Sequence, residues 1–258
     1  MRPPNPFYAR AGSQKPQSKN RQSTGPIPDA RQQARSFFRR AKTLYNGKKG
    51  AGTMKKIAFE EEWKRGKIPC ELVLHDPPSD GLAIVLPGRG YTAKAPLLYY
   101  ASKYYFQKGF DLLQIHYHDI LPFANESEFI AAVQETVRNF LNRHPYANFC
   151  IVAKSIGTIA LARLCKWDEF REAKALWLTP LLHRDDVFQG LKNSRQKGLV
   201  AIGNADPAYA GERFQELKAN PNLDLLLIPG ADHSLELAMD IEGSIDIVKT
   251  LLAAVKKL

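Results

Sequence analysis

A serine hydroxyl becomes a nucleophile when the backbone presents it and a base stands beside it. Ser155 meets the first condition. It follows Phe149-Cys150-Ile151-Val152, which reads as a buried strand, and precedes Ile156 to Leu164, which reads as a helix packed closely on a sheet. A single residue that turns a strand into a helix is held in a strained conformation, with its side chain pushed out above the sheet. Positions two before and two after it approach each other, so small residues are required, and Ala153 and Gly157 provide them. The Ile156 N–H then lies at the helix N-terminus, aimed at any negative charge that develops beside the serine. The alternative for Ser155 is an ordinary helix N-cap.

The hydroxyl also needs a histidine and an acid behind it. The apolar run Leu225-Leu226-Leu227-Ile228 ends in Pro229-Gly230-Ala231-Asp232-His233, which puts His233 in the loop after a late strand. Gly198-Leu199-Val200-Ala201-Ile202 reads as an earlier strand, with Asp206 just beyond its end. Taken singly, His233 is a loop histidine and Asp206, before Pro207, a turn residue. Serine, acid and histidine at the ends of successive strands, in that chain order, are a far narrower pattern. Asp232 competes for the acid role but, one residue from His233, is poorly placed to reach the far ring nitrogen, so Asp206 is preferred.

A second oxyanion donor is expected after the first long strand. Leu82-Ala83-Ile84-Val85-Leu86 is wholly apolar and runs into Pro87-Gly88-Arg89-Gly90-Tyr91-Thr92, whose glycines are expected to let backbone amides face a bound oxygen. The Arg89 amide is the first candidate and Tyr91 the second; an ordinary strand-to-helix turn would also explain the glycines. The loop lacks both the dinucleotide spacing GxGxxG and the following Lys-Ser/Thr pair of a phosphate loop.

With these residues the chain resembles an α/β-hydrolase over roughly residues 57 to 258, with Leu86-Pro87-Gly88-Arg89-Gly90 as oxyanion loop and Ala153-Lys154-Ser155-Ile156-Gly157 as nucleophile elbow. Asp206 and His233 complete the triad. The resemblance implies a doubly wound, mostly parallel sheet of seven or eight strands, with Ser155 after the fifth, Asp206 after the seventh and His233 after the eighth. Two departures are Pro87, where a histidine often precedes the oxyanion glycine, and Ala153, where the elbow usually has glycine. Relatives with large caps insert them in the region that here runs from Thr179 to Gly198, which has space for only one short helix. An open, shallow site is expected, suited to a polar or surface-presented ester or thioester. Leu181, Leu182, Tyr91 and Phe123 are candidates to line a modest acyl pocket, with Gly88, Tyr91, Lys154 and Leu181 as substrate contacts.

The elements that must position these residues alternate as an α/β sheet requires. Glu71 to His75 and Leu82 to Leu86 are expected as an early hairpin. Ala95 to Lys108 suits a helix, Phe110 to Tyr117 a strand, and Glu126 to Asn142 a helix with Phe129, Val133, Val137 and Leu141 on one face. Ala173 to Leu178 is a further strand, and Ile241 to Val255 closes the domain as a helix. His116-Tyr117-His118-Asp119 sets two histidines on one face of a strand, but its spacing matches no hydrolytic zinc motif, so neither metal nor cofactor is expected. Lys154 is expected at the mouth of the site, attracting anionic substrates or facing water.

Charge divides the chain sharply. Residues 1 to 53 hold 12 Lys or Arg against one acid, Asp29, so the whole net charge of +11 lies there and the remainder is formally neutral. This leader is rich in Pro, Gln, Ser and Arg, the composition of a segment that buries too little surface to fold. Within it, Ala30 to Tyr45 is the one stretch suited to an amphipathic helix. Three readings compete: a basic arm for nucleic acid or anionic membrane, an organelle transit peptide, or upstream sequence not translated before a start at Met54. The last is preferred because Lys48-Lys49-Gly50-Ala51 is compatible with a purine-rich ribosome-binding site and Met54-Lys55-Lys56-Ile57 resembles a bacterial start. The division is therefore a disordered basic leader, 1–53, and one catalytic domain, 54–258. Cys70, Cys150 and Cys165 are an odd number, which fits a reduced, cytoplasmic setting. No apolar run approaches the roughly 20 residues of a membrane span. The reading is a small serine hydrolase acting on a small-molecule ester or thioester; the alternatives are a non-catalytic binding protein on the same fold, or an adaptor that works through its basic leader.

Overall fold

The computed structural model describes residues 42–49, 52–64, 66–118 and 125–258. Strands with apolar side chains on both faces must lie inside a sheet covered on both sides, and the central strands here are of that kind. β4 (Gly81–Leu86) is buried along its whole length. Leu82, Ile84 and Leu86 enter one core while Ala83 and Val85 enter the other. The same alternation runs through β6 (Asn148–Lys154), β7 (Lys174–Leu178) and β8 (Lys197–Gly203).

The described strands form a nine-stranded sheet in the order β1-β2-β3-β5-β4-β6-β7-β8-β9. β1 (Lys42–Lys49), β2 (Gly52–Trp63) and β3 (Gly66–Asp76) are antiparallel, and β3 joins β5 (Phe110–Ile115) antiparallel. From β5 through β4, β6, β7 and β8 to β9 (Leu223–Ile228) every pair is parallel. Helices α1 (Pro96–Gln107) and α6 (Ile241–Val255) cover one face. The other face carries α2 (Glu126–Arg143), α3 (Gly157–Leu164), α4 (Asp185–Lys192) and α5 (Gly211–Glu216). The sheet is doubly wound and mostly parallel, and it sets Ser155, Asp206 and His233 after β6, β8 and β9.

Three expectations change. The sheet has nine strands, because it begins upstream of Met54: β1 and the first two residues of β2 fall inside the expected leader, and Lys42 to Tyr45 are extended where a helix was expected. The leader readings otherwise concern residues 1 to 41, outside the described residues. The expected hairpin of residues 71–75 with 82–86 does not form. β5 lies between them, because β4, apolar on both faces, takes a central place, while β3 pairs with β2 and β5.

The carboxyl ends of β4 and β6 are neighbours, with Leu86 opposite Ala153. The chain leaves β4 toward β5 on one side and returns from β5 to β6 on the other. Such a reversal opens a crevice above the strand ends, where α/β sheets hold their ligands.

Candidate active site

Ser155 follows the last residue of β6 with φ +53°, a left-handed conformation uncommon for a residue with a β-carbon. Neighbouring bonds hold it there. Its N–H donates to the Leu178 carbonyl at 3.0 Å, and its carbonyl accepts from the Thr158 N–H at 2.9 Å and the Thr158 hydroxyl at 2.6 Å. Gly157 is required by space: a β-carbon there would stand 2.4 Å from the Leu86 carbonyl oxygen. The strand-to-helix turn with small flanking residues is therefore present.

His233 Nε2 lies 2.7 Å from Ser155 Oγ, and its Nδ1 lies 2.8 and 2.9 Å from the two carboxylate oxygens of Asp206. An ionised carboxylate only accepts, so Nδ1 carries the ring proton and Nε2 turns a lone pair toward the serine. The Asp206 side chain is wholly buried and also accepts the Ala208 N–H at 2.8 Å, while the His233 side chain keeps 38% of its surface exposed. Asp232 instead accepts the N–H groups of Ser234 and Glu236 at 2.7 and 3.0 Å and shapes the loop. The acid and histidine loops are joined directly: Asn204 N–H donates to Ile228 O at 3.2 Å and Ala205 N–H to Ala231 O at 3.1 Å. Gly203 permits this approach, since a β-carbon there would fall 1.9 Å from the Ala231 oxygen.

The loop after β4 forms the facing wall. Gly88 N–H donates to Tyr91 O at 3.1 Å, so that amide is already used. Neither Gly88 nor Gly90 adopts a positive φ; Gly88 serves by being small, because a β-carbon there would lie 3.4 Å from the Ser155 β-carbon. Tyr117 donates its hydroxyl to the Pro87 carbonyl from below. The N–H groups of Arg89 and Ile156 donate to no protein acceptor among the described residues.

These residues border an open cleft of about 580 Å³, with Leu181, His183 and Arg184 on its far side. Leu181 is half-buried at the cleft, whereas Leu182 is wholly buried in the core and lines nothing. Phe123 lies outside the described residues. Lys154 is not at the mouth of the site. It is 1% exposed, and its ammonium donates to the His233 carbonyl at 2.7 Å and the Thr179 hydroxyl at 3.0 Å, 4.5 Å from the centre of the Tyr91 ring. Burial pulls its pKa down to about 8 against the attraction of Asp206, Asp232 and Glu236. The correction has a simple cause: Lys154 continues the column of Cys150 and Val152, whose side chains enter the core under α1 and α6.

The structure adds residues that sequence reasoning missed. Thr179, buried with φ +41°, supports Lys154, and Arg184 grips Glu126 with bonds of 2.8 and 2.6 Å on the rim. Both come from connections far in sequence from Ser155, and no motif marks them. β5 ends at Ile115, so His116 and His118 do not share a strand face, and Asp119 lies outside the described residues. Among the described residues no cluster of three or more His, Cys, Asp or Glu is arranged to hold a metal ion. Burial raises the Cys150 and Cys165 thiols to about 12, the reverse of an activated thiolate.

The sequence matches no protein-family model and no curated protein. Solved structures do match in fold. An α/β serine hydrolase without a lid from Xanthomonas campestris is similar over 84% of this chain and 94% of its own, at 14% identity and TM-score 0.54. An esterase from Pyrococcus furiosus covers 78% and 91%, at 15% identity and TM-score 0.57. Est1E from Butyrivibrio proteoclasticus, with ferulic acid bound, covers 78% and 98%, at 11% identity and TM-score 0.58.

Proposed function

We propose that this chain, which has the α/β-hydrolase fold, is a serine hydrolase that cleaves a small-molecule carboxylic ester or thioester through an acyl-enzyme. The observation that carries the reading is the chain of contacts from Ser155 Oγ to His233 Nε2 at 2.7 Å and from His233 Nδ1 to the Asp206 carboxylate at 2.8 and 2.9 Å. Ser155 attacks the carbonyl carbon while His233 Nε2 takes its proton, and Asp206 stabilises the imidazolium. The imidazolium then protonates the leaving oxygen or sulfur, and water, activated by the same nitrogen, releases the acyl group. The amides of Ile156 and Arg89 are proposed as the oxyanion donors, each contributing about 3 to 4 kcal/mol to the transition state. Two features support a polar or surface-presented ester or thioester over a buried hydrocarbon: α4 is the one α-helix between β7 and β8, and the cleft is open, with Leu181 as an apolar contact. The unpaired thiols of Cys70, Cys150 and Cys165 support a reducing, cytoplasmic setting.

A fluorophosphonate probe tests the reading without knowledge of the natural substrate. Labelling of Ser155 at one equivalent is expected, absent in Ser155→Ala and slowed roughly 10³-fold or more in His233→Ala. Folded wild-type protein that takes no label would refute acyl-transfer chemistry and favour a binding protein on this fold.

A further inference from the structure

Lys154 takes no part in the steps above, yet its ammonium is buried among them. We propose that Lys154 is a positioning residue that clamps the His233 main chain onto the nucleophile elbow, so that the imidazole meets the Ser155 hydroxyl in line; this rests on the acyl-transfer reading of that pair. The geometry joins four loops at one atom. Nζ extends from the elbow, is fixed by Thr179 from the loop after β7, lies by the Tyr91 ring from the loop after β4, and bonds the carbonyl of His233 itself.

Packing alone does not account for a lysine here. The two residues before it on the same strand face are Val152 and Cys150, and a methionine would fill the column without burying a charge. The groups facing the ammonium are Asp206 from the acid loop, Asp232 and Glu236 from the histidine loop, and Tyr91, whose hydroxyl burial raises to about 12 and so keeps neutral. The carboxylates favour the charged form, and burial opposes it. A charge-assisted bond to a main-chain carbonyl is short and strong, and it restrains the backbone of the residue whose ring must be aligned. The loop also has bonds of its own, Asp232 accepting the Ser234 and Glu236 N–H groups at 2.7 and 3.0 Å, and a buried Leu235; the Lys154 bond is the one that ties the His233 carbonyl to the elbow.

The test uses the full chain and three variants. Lys154→Met should stay folded with a modestly lowered Tm, because the ammonium no longer has to be desolvated while the His233 carbonyl and Thr179 hydroxyl lose one donor. Its fluorophosphonate labelling and its kcat on a chromogenic short-chain ester should fall roughly 30- to 100-fold, with KM nearly unchanged, as for a misplaced catalytic group. The downfield proton resonance of the His233–Asp206 hydrogen bond, expected to be sharp in wild type, should broaden in Lys154→Met. Thr179→Val, which removes one anchor and leaves the ammonium, should lose about 3- to 10-fold, and adding it to Lys154→Met should cost nothing further. Labelling of Lys154→Met at the wild-type rate with an unchanged resonance would overturn the proposal. So would losses in both single variants that track Tm alone. Should wild type itself resist labelling, the acyl-transfer reading falls, and the resonance in Lys154→Met still decides the clamp: unchanged, the clamp is wrong; broadened in a folded protein, it stands.

Discussion

At the scale of single residues, the site separates two acids that stand 26 positions apart and differ in task. Asp206 contacts the ring nitrogen of His233 with both oxygens, whereas Asp232 spends one oxygen on two backbone N–H groups of its own loop. Asp206→Asn leaves the shape intact but offers an amide that donates to Nδ1, which moves the ring proton to Nε2 and removes the base. A fall in kcat of about 10⁴ is expected from that change of tautomer. Asp232→Asn keeps an acceptor oxygen, so its loss should stay below about tenfold. Labelling rates of the two variants, measured side by side, check the assignment; equal losses would contradict it.

At the scale of elements, β1 is an addition to a sheet that is otherwise complete. Among the described strands it pairs with β2 alone, and Thr43 and Leu44 point into water. β2 keeps its long antiparallel partner β3 on the other side and buries Ile57 and Phe59 on one face. A protein beginning at Met54 is therefore expected to fold and to take the fluorophosphonate at the full rate, with a urea midpoint lowered by the loss of one edge strand. This makes residues 54–258 the proposed catalytic unit. A Met54 variant that is folded but unlabelled would show instead that the upstream segment contributes to the site.

At the scale of the whole molecule, stability depends on two cores, one on each face of the sheet, and several titratable groups are buried against them. His144, 6% exposed at the end of α2 and packed by Phe140, is held down to about 4 by burial and by the neighbouring Arg143. Between pH 6.5 and about 4 the unfolded chain binds a proton there that the folded protein does not. The His144 contribution is thus complete above pH 6.5 and is lost as pH falls toward 4, by up to about 3 kcal/mol. His144→Phe should flatten this part of the curve of unfolding free energy against pH. Denaturant titrations of both proteins at pH 7 and pH 4.5 measure it; parallel losses would contradict the assignment.

Much of this protein is legible before any coordinates. The apolar runs ending at Leu86, Val152, Leu178, Ile202 and Ile228 mark the parallel strands, because strands covered on both faces must be apolar on both faces. The turn at Ser155 is legible because only small residues fit beside it, and the order of serine, acid and histidine follows from strand ends that share one edge. Pairing was not legible: residues 71–75 and 82–86 are close in sequence, but which strand becomes central is decided by helices on both sides. The place of Lys154 follows from a period of two along β6, yet its partners, the His233 carbonyl and the Thr179 hydroxyl, lie 79 and 25 residues away. Local pattern determines which residues become strand, turn and loop. The distances between loops, on which the chemistry depends, are set by how the strands line up side by side, and only the folded chain decides that.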